Sequence, residues 1–232
     1  MSWNESSYNS ADVRDVRVTA FLGRVYGWMF LGLLITAITA LGIVASGLVE
    51  VLFSNRLVFW MLCFGQLGLV FYLSARVDKV APTTAAVLFL LYSAMVGVTT
   101  SVILLLYTGT SIVSTFVVTA GMFGALAAFG TLTKRSLAGW GQFLFMGLIG
   151  LIIAMVVGLF WQNGALQFVI SVVGVVVFTG LTAWDAQRLK QMAVALPDGR
   201  VQSYAVVGAL SLYLDFINLF FFLLRFMGGR RN

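Results

Sequence analysis

Two carboxylates occur in this chain where charge is costly. Asp215 lies near the middle of the apolar stretch 211–226, with Asn218 close behind it, and Asp185 ends the apolar run before that. A carboxylate at membrane depth costs at least about 2.5 kcal/mol, so such residues usually mark an ion pathway or a proton site. Two carboxylates within hydrogen-bond reach in a low-dielectric site cannot readily both ionise, and they share a proton over some range of pH. A pair of this kind is a proton switch. The chain has no histidine, so the ordinary sensor near neutral pH is absent and a carboxylate must serve.

The elements that would carry the pair follow from composition. With 61% hydrophobic and 9% charged residues and a mean hydropathy of +1.02, the chain is an integral membrane protein. A helix needs about 20 apolar residues to cross the hydrocarbon core. Intervals between charges then leave spans near 25–45, 57–75 and 83–106, two more between Lys134 and Tyr107 and between Arg135 and Gln162, a sixth ending near Asp185, and a seventh over 201–227. The runs are continuous rather than alternating, which predicts an all-α fold of seven transmembrane helices and excludes a β-barrel. The domain plan is a polar N-terminal segment 1–23, a seven-helix domain 24–228 and a basic tail 229–232.

No short apolar core with a cleavage site precedes the first span, so no cleavable signal peptide is read there. The single Cys63 falls within the second span and reads as a buried thiol. The net charge of +6 is spread over helix ends rather than gathered into a patch, which points away from nucleic acid. Ten of the 14 basic residues fall on one side if the N-terminus is cytoplasmic, so the positive-inside rule favours a cytoplasmic N-terminus and an outside C-terminus, against the basic tail.

On the sixth span Ser171, Gly174, Phe178, Thr182 and Asp185 share a face, and on the seventh so do Tyr204, Gly208, Ser211, Asp215 and Asn218. A polar stripe on an apolar helix should face the bundle interior, which makes the seventh helix central and lets the two carboxylates meet. Their depths differ, so tilt or a sixth helix running past the membrane edge is required. The plain alternative for Asp185 is a solvated ion pair with Arg188, contributing only about 0.3–0.5 kcal/mol. Gln66, near the middle of the second span, is either hydrogen-bonded to a neighbouring helix or exposed to an ion path. Arg76, in the charged turn with Asp78, Lys79 and Pro82, is either a headgroup anchor or part of a gate. The small residues Gly121, Gly124, Ala125 and Ala128 of the fourth span, and Gly150, Ala154 and Gly158 of the fifth, read as tight packing faces.

The runs LTAWDAQRLK at 181–190 and GALSLYLDFINLFF at 208–221 resemble signature segments of the Bax inhibitor family, the transmembrane Bax inhibitor motif proteins, its bacterial branch above all. The likeness extends through LYS at 91–93, YTG at 107–109, GMFG at 121–124 and GLIG at 147–150. The resemblance implies seven helices, the last surrounded by the other six, in a bacterial inner membrane. It implies a pH-sensitive calcium leak controlled by an aspartate pair, here Asp185 and Asp215. It also implies a latch at the end of the second helix, for which Arg76 or Lys79 stands in the right place. Relatives often carry an acidic residue where this chain has Gln66, which removes a cation-attracting charge.

On this reading the protonated pair holds helices six and seven together, and ionisation separates them and opens a path along Ser211, Asn218 and Gln66. Calcium, which prefers oxygen ligands, would be held transiently by Asp185, Asp215 and Asn218, with no permanently bound cofactor. The expected partners are the bilayer, calcium ions and protons. Two other classes compete. One is a regulator that binds a membrane protease, a translocase or a death-pathway protein. The other is an intramembrane aspartyl protease, which shares only the Trp184-Asp185 element and lacks support around Leu214 and Phe216; no enzyme is expected. Without histidine and with one cysteine, zinc and haem sites have no support.

Overall fold

A computed structural model describes residues 3–161 and 163–231, with side chains described from residue 14 onward except at 198; Gln162 of the predicted turn and the ends of the terminal segments lie outside it. Among the described residues eight α-helices follow one another: α1 (Trp3–Ala45), α2 (Leu48–Ser54), α3 (Arg56–Ala75), α4 (Pro82–Leu106), α5 (Gly109–Leu132), α6 (Ala138–Phe160), α7 (Gly164–Ala195) and α8 (Val201–Met227). Seven of them, all but α2, are long and apolar enough to cross a membrane, as the charge spacing predicts. Among the described residues there is no strand, only an isolated bridge between Tyr107 and Arg230.

Local chemistry sets the breaks between these helices. Gly47 takes φ 69°, a left-handed conformation that glycine adopts without strain, and this separates α1 from α2. The Asn55 side chain accepts from Leu57 N at 2.9 Å to open α3, and the Thr108 hydroxyl accepts from Ser111 N at 3.3 Å to open α5. Pro82 begins α4, where its missing amide hydrogen costs nothing. At the N-terminus α1 begins at Trp3, so the helix runs through the polar stretch ahead of the first span. Nothing between Trp3 and Leu22 is Gly or Pro to stop it.

The chain falls into two compact units, residues up to 101 with 188–211, and 102–187 with 212 onward, so that α4, α7 and α8 each contribute to both. In the first unit α1 crosses α4 closely: a Cβ at Gly97 would stand 2.7 Å from Thr36 O, and the Thr36 hydroxyl donates across to Ser93 O at 3.0 Å. Gln66 on α3 donates from Nε2 to Met95 O at 3.1 Å and Thr99 Oγ1 at 3.3 Å on α4. Arg17 donates to Leu196 O and so ties α1 to the α7–α8 connection.

The second unit is built on Leu144, Leu151, Ile170, Val177, Phe178, Leu181, Leu219 and Phe222. Of the small-residue registers expected from sequence, the end of the α6 one does pack: Gly158 is buried, with a Cβ there falling 3.0 Å from Gln167 Nε2 of α7, and Ala154 is half-buried against the core. A Cβ at Gly121, Gly124 or Gly150 would meet nothing within 4 Å, and these glycines, with Ala125 and Ala128, lie on exposed surface. The closest approaches are at Gly130, where a Cβ would stand 2.1 Å from Ala183 O, and at Gly141 against Trp184, 2.3 Å away. Spacing marks a smooth helix face without saying which neighbour meets it, and here α7 comes closest to glycines outside those registers. Beyond α8 the chain turns back on the α4–α5 connection, with Thr108 N donating to Gly229 O at 3.2 Å and Arg231 N to Leu106 O at 2.9 Å.

Burial separates the spans. In α8 72% of the apolar window is buried, against 33% at most in the others and 6% in α3.

Candidate functional site

Within the second unit α7 and α8 run antiparallel in a definite register. Phe178 stacks on Phe222 with ring centroids 5.8 Å apart and planes 27° apart. A Cβ at Gly174 would fall 2.6 Å from the same Phe222 ring, so glycine is what lets that ring lie against α7. Two turns along each helix from the Phe pair, toward the α7–α8 connection, come Asp185 and Asp215.

There the two carboxyl groups come within hydrogen-bonding reach of each other. Asp185 is 8% exposed and Asp215 4%. A hydrogen bond between two carboxyl groups needs one proton, so the arrangement is that of a shared-proton pair. The second Asp215 oxygen, Oδ2, is buried without a hydrogen-bond partner among the described residues. Phe216, next along α8, is held edge-on by Phe116 at 5.5 Å and Phe123 at 5.5 Å, which fixes α8 against α5 beside the pair.

The difference in depth is absorbed by length. α7 spans 32 residues, roughly 48 Å, and continues ten residues past Asp185, so its carboxylate lies well inside a helix that overruns the hydrocarbon thickness. The polar face of α7 is buried as expected, with the Ser171 hydroxyl bonded to Gln167 O at 2.8 Å and Thr182 to Phe178 O at 2.7 Å.

On α8 the expected single stripe divides. Tyr204, Ser211 and Asn218 are half-buried and fall with 207, 214 and 221 along the less covered edge, while Gly208 and Asp215 are buried beside it. A shift of about 40–60° around the helix axis separates the two sets, too little to see in a window read by eye. Asn218 donates from Nδ2 to Leu214 O of its own helix at 2.8 Å, which leaves its carbonyl oxygen available. Phe220 and Phe222 are buried rather than exposed.

Arg76 is exposed at the end of α3, with its guanidinium 5.9 Å from the centre of the Tyr72 ring. Asp78, two residues on, is the paired group of this turn: it accepts from the Tyr204 hydroxyl at 2.7 Å and forms an ion pair with Arg200. The Tyr204 hydrogen bond foremost holds the Asp78 carboxyl below its ordinary value; desolvation opposes it, and the Arg200 charge and hydrogen bond add smaller lowering effects. Sequence reasoning missed this cluster because its partners lie 122 and 126 residues away. It also missed Gln187, buried at 7%, which accepts from Leu137 N at 2.7 Å and donates to Arg135 O at 2.8 Å, and so ties the α5–α6 connection to α7. The signal was an amide two residues after Asp185 in a buried register. Among the described residues no three Asp, Glu, Cys or His side chains gather as a metal site.

Comparison with known proteins places these features in a lineage. A family model described as "Inhibitor of apoptosis-promoting Bax1" matches residues 18–232. The inner membrane protein YbhL of Escherichia coli K12 is 47% identical over 215 residues, covering 91% of this chain and 92% of that one. A protein of Borreliella burgdorferi is 46% identical over 215 residues, covering 91% and 93%. The protein RP147 of Rickettsia prowazekii is 38% identical over 219 residues, covering 94% and 93%.

Proposed function

From the premise that this integral membrane protein belongs to the Bax inhibitor family, we propose that it is a pH-sensitive calcium leak gated by Asp185 and Asp215. The observation that carries the reading is the meeting of two buried carboxyl groups from α7 and α8, one with an oxygen that no group among the described residues satisfies. A shared proton joins the helices, whereas two ionised carboxylates repel strongly in a low-dielectric site. The protonation state of the pair therefore decides whether this contact holds. α8, the most buried of the seven spans, has the surroundings expected of a helix enclosed by the others.

Calcium takes roughly six to eight oxygen ligands, and two carboxylates with the Asn218 carbonyl and backbone oxygens make a site too poor to retain it. A leak needs such weak binding, because an ion that is held does not pass. Gln66, already hydrogen-bonded to α4, serves the packing of α3 in this scheme, and Ser211 with Asn218 lies on the open edge of α8. The proposed membrane is a bacterial inner membrane, with a cytoplasmic N-terminus.

The test is calcium entry into dye-loaded liposomes containing the protein, measured across pH. Flux should depend on pH in the wild type, and Asp185→Asn and Asp215→Asn should each flatten that dependence. An unchanged pH profile in both variants would sink the proposal.

A further inference from the structure

A cavity of the second unit lies at the far end of α7 and α8 from the aspartate pair. It encloses about 650 Å³ where the end of α6, the start of α7 and the end of α8 converge. Among the described residues its polar lining consists of Arg225, Arg230, Gln167, Asn163 and Ser171, with no acidic residue. Arg225 Nη1 donates to Gln167 Oε1 at 3.1 Å, which sets the guanidinium over the first turn of α7. Arg230 is placed by backbone: its residue bridges Tyr107, and its neighbours bond Thr108 and Leu106. Two cations are therefore held at one site by independent parts of the structure.

A second cavity of about 310 Å³ continues from the first, sharing Gly158, Leu159, Gln167 and Arg225. Its other walls are Ile152, Met155 and Val156 of α6. Ile152 lies eight residues before the end of α6, so this groove reaches roughly 12 Å toward the membrane centre. Trp161 and Phe226 beside it are 66% and 53% exposed, the aromatic residues expected at a headgroup boundary. A cationic chamber opening into an apolar groove that runs inward along a membrane helix has the two-part form of a phospholipid.

We propose that Arg225 and Arg230 bind the phosphate of an anionic phospholipid whose acyl chain lies along Ile152, Met155 and Val156 of α6. Guanidinium groups suit phosphate oxygens through paired charge-assisted hydrogen bonds. Two guanidinium groups at one site favour a headgroup of net negative charge over a zwitterionic one.

The test is native mass spectrometry of the full chain in neutral detergent with equal amounts of phosphatidylglycerol and phosphatidylcholine. Wild type should retain phosphatidylglycerol preferentially, and the double variant Arg225→Gln/Arg230→Gln should lose it by about tenfold or more. Ile152→Trp, at a position 47% exposed and so tolerant of bulk, should fill the groove and also lower retention with both arginines in place. Lys134→Gln/Arg135→Gln, which removes the same charge from the exposed α5–α6 connection, should leave retention unchanged. Equal retention of the two lipids, equal loss in both double variants, or unchanged retention in Ile152→Trp overturns the proposal. Displacement of the lipid by inorganic phosphate overturns it too, since the site would then take the free anion.

Discussion

Asp78 and Gln187 show how single polar side chains fasten connections between helices. Asp78 is held in its ionised form by Tyr204 and Arg200. Its carboxyl titrates below the ordinary 3.8, so the stabilisation it lends is complete above that value and is lost as pH falls through the lowered one. Tyr204→Phe should raise the Asp78 pKa toward the ordinary value, as read from a carboxyl-labelled NMR titration; an unmoved titration would show that Arg200 alone sets it. Gln187 serves one backbone amide and one backbone carbonyl from a buried position. Gln187→Leu should cost about 2–3 kcal/mol in unfolding measurements, and Gln187→Glu, which keeps the acceptor and loses the donor, should also destabilise the protein. At this scale Asp185 and Asp215 were legible because carboxylates in apolar runs are rare. Asp78 was visible as a charge but not as a partner, since nothing local in a sequence names a residue more than a hundred positions away.

Helix elements were legible in number and less so in orientation. The Gly130 and Gly141 crossings against α7 carry the closest packing, while Gly121, Gly124, Ala125 and Ala128 of α5 and Gly150 of α6 face outward. Gly130→Ala must displace the Ala183 carbonyl and should destabilise the protein by about 1–3 kcal/mol. Gly121→Ala meets open space in the middle of α5 and should be neutral or stabilising, by up to about 1 kcal/mol from helix propensity. Thermal unfolding of the two variants side by side checks both, and equal loss in each would mean that the outward face is packed in solution. The α8 stripe illustrates the same limit. Periodicity gathered Ser211, Asp215 and Asn218 on one side, but burial distinguishes them because neighbours cover α8 unevenly around its circumference.

Across the whole molecule the spans differ more in burial than in hydropathy, and composition does not report that difference. α3 and α8 have similar mean hydropathies of 1.8 and 2.0, yet 6% of one window and 72% of the other is buried. Leu212→Ala and Leu219→Ala on α8, at fully buried positions, should each cost about 2–5 kcal/mol. Leu57→Ala and Leu67→Ala on α3, at 63% and 54% exposure, should change stability by no more than about 0.5 kcal/mol. Thermal melts of the four variants in detergent decide the matter, and similar losses on both helices would contradict the burial pattern. Seven spans could be read from the spacing of charges because the bilayer imposes a length on every helix that crosses it. The helical lead into α1 could not, since polar residues are permitted on either side of a helix start. The carboxylate pair also carries a consequence for synthesis. Asp185 leaves the ribosome ahead of Asp215, and at about 5–20 residues per second the interval is of the order of seconds. During that interval the growing chain carries an apolar segment with a lone acid near its end, and whatever insertion machinery receives it must tolerate Asp185 before its mate exists.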